Sequence, residues 1–131
     1  MIVLDTNALL WWINDSGRLS GKARKIIEEE EKKKAIFVSS ISVLEICTLV
    51  KKGRLEFVAL TDNWLDQVES LSCLHFVPVD NQTAKTSVNL PDFTHKDPAD
   101  RIIIATAMIN GATLITSDKK ILNYTHVKAV W

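Results

Sequence analysis

Four carboxylates occupy places in this chain where a carboxylate is costly unless something compensates it. Asp5 interrupts the apolar run "MIVLDTNALLWW", Glu45 lies inside "SVLEICTLV", Asp100 abuts "RIIIATAMI", and Asp118 closes "LITSD". A charge among apolar residues shifts its pKa, finds a counter-ion or binds a metal. Carboxylates brought together repel one another and resist ionising unless a cation joins them. A hard divalent ion such as Mg²⁺ or Mn²⁺ prefers oxygen ligands and keeps several waters. Four such acids at one place would therefore suit metal-assisted hydrolysis with water as the nucleophile. No Ser–His–Asp or Cys–His set offers a covalent route, and His75, His95 and His126 do not show a zinc spacing.

The elements around the acids alternate. "MIVLD", "AIFVSS", "LHFVPV", "ATLITS" and "VKAVW" are short apolar runs that predict strands. Between them lie helical patterns: Thr6 to about Asn14, "SGKARKIIEEEEKKK" with Ser20 as N-cap, and "SISVLEICTLVKKG" closed by Gly53. "TDNWLDQVESL" follows, capped by Thr61 or Asp62, then "DNQTAKTSVNLP", "DPADRIIIATAMING" and "DKKILNY". Strand–helix alternation predicts an α/β domain, with a mostly parallel sheet covered by helices on both faces. In such sheets ligands bind at the carboxyl ends of the strands. Asp5 and Asp118 follow strands directly, Glu45 lies in the helix after the second strand, and Asp97 and Asp100 open the helix before the fourth. One edge of the sheet can gather them all.

Each acid also has a purely structural explanation. Asp5 and Asp118 can cap the helices that follow them. Asp97 before Pro98 reads as an N-cap with proline at N1, and Asp100 as a first-turn acid favoured by the helix dipole. Ser42 and Glu45 form an S-x-x-E capping-box pattern, although Ser39 or Ser40 is the better cap. Caps explain one acid easily. Four at matching strand ends ask for a further reason.

Composition bounds the rest. The 131 residues suit one domain, 47% of them are hydrophobic, and 16 basic residues balance 16 acidic ones. That balance carries no global nucleic-acid signature. The basic stretches "KARK", "KKK" and "KKGR" nevertheless leave room for a basic rim around an acidic centre. Glu28–Lys32 and Glu29–Lys33 have helix-stabilising i,i+4 spacing. Cys47 and Cys73 read as free thiols in or near the core. No run is long enough for a membrane span, and the N-terminus lacks the features of a signal peptide, so a cytoplasmic protein is expected.

"LDTNALLWW", "SSISVLEI", "HKDPADRIIIATA" and "LITSDKKI", in this order, resemble the four motifs of PIN domains. The similarity is greatest to the VapC-like toxin ribonucleases of bacterial and archaeal toxin–antitoxin pairs, and it covers nearly the whole chain. The resemblance implies a three-layer α/β/α sandwich and metal-dependent RNA hydrolysis. It assigns the catalytic acids to Asp5, Glu45, Asp100 and Asp118. Asp97 becomes supporting, and Thr6, Asn7 and Ser117 stand beside the acids to orient them or to bind water or phosphate. Asp5, Asp100 and Asp118 are the preferred ligands of Mg²⁺ or Mn²⁺, and Glu45 is a ligand or a base. Lys51, Lys52 and Lys119 are candidates for holding the flanking RNA backbone. The resemblance further implies an antitoxin partner and a homodimer. Trp11 and Trp12 are adjacent and cannot share one helix face, so at least one of them can reach a surface groove where a partner segment docks.

Two other function classes fit some of the residues. An aspartyl phosphotransferase would use Asp5 as nucleophile, but the haloacid-dehalogenase-like pattern asks for a second acid where this chain has Asn7. A non-catalytic interaction domain on the same fold would be marked by a missing acid, and all four are present.

Overall fold

The computed structural model describes residues 1–53 and 63–131. The elements follow the chain as β1 (Ile2–Leu4), α1 (Thr6–Ile13), α2 (Gly21–Lys32), β2 (Ile36–Ser39), α3 (Ile41–Lys51), α4 (Trp64–Glu69), β3 (Leu74–Val77), α5 (Asn81–Val88), α6 (Pro98–Ile109), β4 (Thr113–Ile115), α7 (Lys119–Leu122) and β5 (Ala129–Val130). The five strands form one all-parallel sheet in the order β3-β2-β1-β4-β5. β1 is central, with Leu4 in register with Val38 on one side and Ile115 on the other. The chain winds outward from β1 through β2 and β3, then crosses to β4 on the opposite side. The switch in winding direction between β1 and β4 opens the crevice where ligands bind in such sheets.

Side chains alternate across the sheet, so each strand feeds two cores. Ile2, Leu4, Ile36 and Val38 join Leu9 of α1, Ile27 of α2, Ile46 of α3 and Trp64 and Val68 of α4 on one face. Val3 and Leu114 join Ile103, Ile104 and Ala107 of α6, Ile121 of α7 and Tyr124 on the other. This is the expected α/β/α sandwich.

Local signals act where the sequence places them. Ser20 caps α2 by accepting from the Ala23 N–H (2.9 Å), and Gly53 takes the positive φ of +66° that ends α3. Three readings change. Lys33 pairs with Glu30 at 3.1 Å rather than with Glu29, because Glu30 is the acid that points inward, toward the Met1 ammonium at 2.7 Å. α3 is not a buried helix: Ser42 and Ile46 face inward, while Leu44 and Val50 are 60% and 43% exposed. Cys47 shares that exposed side and so lies outside the core. The Thr61 or Asp62 cap of α4 falls outside the described residues.

Candidate active site

Three of the aspartates are N-caps, and capping is what aims them. Asp5 accepts from the Ala8 N–H at 2.8 Å, Asp97 from Ala99 at 2.9 Å and Asp118 from Lys120 at 2.8 Å. A cap residue stands at the mouth of its helix with extended backbone, so one carboxylate oxygen is spent on the helix and the other is not used by the cap. The Asp5 N–H donates to the Ile115 carbonyl at 3.1 Å, which ties the end of β1 to the end of β4. The structural and chemical explanations of these acids are thus compatible.

Glu45 is different. α3 begins at Ile41, with Ser40 at its N-cap position and no side-chain cap bond. Glu45 lies a full turn in, and its carboxylate takes a 2.6 Å hydrogen bond from the Thr6 hydroxyl. Ser42 and Thr6 hydroxyls meet at 2.9 Å. Ser42 therefore serves α1, not a capping box.

Asp100 is the acid that both Asp5 and Glu45 sense. Burial pushes the Asp5 carboxyl up to about 6; the Thr116 hydroxyl and the Ala8 N–H oppose the shift, and Asp100 and Asp118 add to it. Burial also raises Glu45, against its bond from Thr6, with Asp100 and Asp97 adding to the rise. Asp100 is raised by burial too; His95 opposes this, while Asp97 and Asp118 reinforce it. Carboxylates crowded in this way favour a proton or a cation. The oxygen-rich donor set fits a hard divalent ion.

His95, Asp97 and Asp100 offer ligand atoms within 4.8 Å of one another. His95 Nε2 stands 2.7 Å from Asp100 Oδ2. The sequence spacing discounts this histidine as a metal ligand in a zinc set, yet the path of the chain brings it to the acids. Arg101 is the cause. Its Nη1 donates to the carbonyls of Phe93 and His95, both at 2.9 Å, and its Nε to Ser87 at 2.8 Å. The guanidinium thus curls the segment before α6 onto the site, and it pairs with none of the catalytic candidates. Sequence reading also passed over Thr116, which is fully buried at the end of β4. Its hydroxyl accepts from the Asp118 N–H at 3.1 Å. Of the supporting residues, Thr6 is buried on Glu45, Asn7 is exposed beside Asp5, and Ser117 is half-buried between Thr116 and Asp118.

The paired tryptophans part as expected. Trp11 meets the Trp131 ring edge-on at 5.5 Å. Trp12 lines a groove of about 470 Å³ with Ile13, Trp64, Val68 and Leu71.

The PIN domain family model matches residues 2–127. Ribonuclease VapC22 of Mycobacterium tuberculosis is 32% identical over 130 residues, which are 98% of this chain and 95% of that protein. The fold is similar to that of VapBC2 from Rickettsia felis bound to a DNA fragment from their promoter, with a TM-score of 0.73, 21% identity, and coverage of 100% of this chain and 99% of that one. It is also similar to FitAcB from Neisseria gonorrhoeae, at TM-score 0.70 and 19% identity, covering 100% and 97%. A toxin–antitoxin complex from Klebsiella pneumoniae gives TM-score 0.66 and 20% identity, again covering 100% and 97%. From its first strand to its closing segment, the chain belongs to the PIN-domain family.

Proposed function

We propose that the chain is a single-domain endoribonuclease that hydrolyses RNA phosphodiester bonds with metal-activated water, and that it is the toxin of a toxin–antitoxin pair. The observation that carries this reading is the gathering of Asp5, Glu45, Asp100 and Asp118 about the carboxyl edge of the sheet, where Asp100 raises both Asp5 and Glu45. The ribonuclease relative and the toxin–antitoxin complex among the similar structures support it.

Asp5, Asp100 and Asp118 would hold Mg²⁺ or Mn²⁺. An ion held there would lower the pKa of a water and offset the negative charge that builds on the phosphoryl oxygens. Glu45 spends Oε1 on Thr6, which leaves Oε2 to take the proton of the attacking water. The water oxygen bonds to phosphorus, the bond to the leaving ribose oxygen breaks, and that oxygen takes a proton from solvent. Asp97 holds the start of α6, and Asn7 and Ser117 face water or phosphate. Lys51, Lys52 and Lys119 are exposed and hold the flanking backbone.

The antitoxin docks on the groove lined by Trp12, at the end of α1 away from Asp5, and a basic side chain from another part of it enters the acids. Self-association into a homodimer uses the exposed apolar side of α3, around Leu44 and Val50. Among the described residues no helix is long and apolar enough to cross a membrane, and the cytoplasm is the proposed location.

The test is incubation of the purified chain with mixed structured RNAs in Mg²⁺, Mn²⁺ or EDTA. Cleavage is expected with metal, none with EDTA and none with Asp5→Asn. Intact RNA under all metal conditions overturns the nuclease reading. Expression without a partner should arrest growth for the wild type and not for Asp5→Asn at matched protein level; equal growth counts against a toxin.

A further inference from the structure

Beside the carboxylates lies a second concavity, of about 670 Å³, between the segment before α6 and the end of α7. Its size is in the range of small-molecule sites. The half-buried Phe93 ring lines it, backed by the buried Tyr124 ring, with ring centroids 4.7 Å apart at 50°. These rings are fixed before any ligand arrives. The Tyr124 hydroxyl donates to the Pro91 carbonyl at 2.6 Å, the Arg101 guanidinium sits over the Phe93 ring at 5.6 Å, and the His95 ring meets Phe93 edge-on. Asn123 adds an amide that carries both a donor and an acceptor, the complement of a base edge. Lys96 and Lys120 add two exposed cations. Two lining residues, His95 and Asp97, also belong to the metal-ligand cluster with Asp100. The pocket therefore adjoins the acids.

We propose that this pocket seats an unstacked nucleobase next to the scissile phosphate, with Lys96 and Lys120 holding the phosphate that follows. The inference rests on the nuclease reading for its biological meaning. It adds that the base at this nucleotide must stand out of its stack, which an unpaired nucleotide does at lower cost than a paired one. An aromatic ring recognises any base face, and the Asn123 amide adds hydrogen-bonding preference.

The probes are adenosine and uridine 5′-monophosphates against ribose 5-phosphate, titrated into the wild-type chain in Mg²⁺ buffer and followed by NMR. Contact through phosphate and metal is common to all three, so the difference isolates the base. The nucleotides should shift the ring signals of Phe93 and Tyr124 and the Asn123 amide, and ribose 5-phosphate should bind about tenfold or more weakly. Asn123→Trp, at an exposed position, should fill the pocket and erase that difference without lowering the melting temperature. Equal affinity for nucleotide and ribose phosphate, or shifts elsewhere on the surface, overturns the proposal. A second arm needs no variant. Single abasic sites scanned through a cleaved RNA should weaken cleavage sharply at one position beside the cut, and a flat scan overturns the proposal. Base binding without any RNA cleavage would instead count against the nuclease reading.

Discussion

The Thr6 hydroxyl donates to the Glu45 carboxylate across 2.6 Å, joining residues 39 apart in sequence. One hydroxyl thereby links the first turn of α1 to the body of α3, and its second contact, Ser42 at 2.9 Å, is also on α3. On the proposed mechanism Thr6 positions Glu45. Thr6→Val should lower the cleavage rate by about 10–100-fold and leave Ser42 without its partner, at about 1–3 kcal/mol. Thr6→Ser should restore most of the rate. Wild-type turnover by Thr6→Val would show that Glu45 needs no orientation.

Glu45→Gln separates chemistry from capping. Loss of a cap costs about 0.5–2 kcal/mol, but Glu45 caps nothing. The variant should lose turnover and keep or raise its melting temperature. A clear fall in stability at normal turnover would restore the structural explanation.

For Asp5, asparagine can still accept from the Ala8 N–H, so the cap survives substitution. What it removes is a buried charge beside Asp100 and Asp118. In EDTA at neutral pH, Asp5→Asn should unfold at a higher temperature than the wild type, by on the order of 1–3 kcal/mol. Excess Mg²⁺ should narrow or reverse the gap by stabilising only the wild type. Identical melting curves with and without metal would argue against a cation at Asp5.

Arg101 holds the segment that carries His95 through bonds to four carbonyls, including Val88 at 3.2 Å. Lysine cannot reproduce this fork. Arg101→Lys should lower stability by about 2–4 kcal/mol and reduce activity. Hydrogen exchange should show residues 92–97 opening first. Unchanged protection there would refute the clamp.

Glu30 gives a pH signature away from the site. The Met1 ammonium and Lys33 hold its carboxyl below the ordinary 4.5. Below that value the unfolded chain binds more protons than the folded one, so stability rises with pH there. The contribution is complete above about pH 4.5 and is lost as pH falls through the lowered folded-state value. Glu30→Gln should cost about 1 kcal/mol at pH 7, with the gap to wild type closing in acid. A gap independent of pH would contradict the ion pair.

What could be read from the sequence is what depends on near neighbours. Strand and helix types follow from apolar period, and Ser20, Asp97 and Asp118 cap helices that begin directly after them. Asp5, Glu45, Asp100 and Asp118 are the proposed acids because they stand out at strand ends and in apolar runs. What could not be read depends on the path of the chain between distant residues. Thr6 meets Glu45 only because β1 and β2 are adjacent and in register. His95 reaches Asp100 only because Arg101 draws the preceding segment inward. α3 is apolar on most sides, yet its outer side stays exposed, because the sheet and α1 reach only the side carrying Ser42 and Ile46. Periodicity reports that a helix has an apolar face. Only the packing of the other elements decides whether anything covers it.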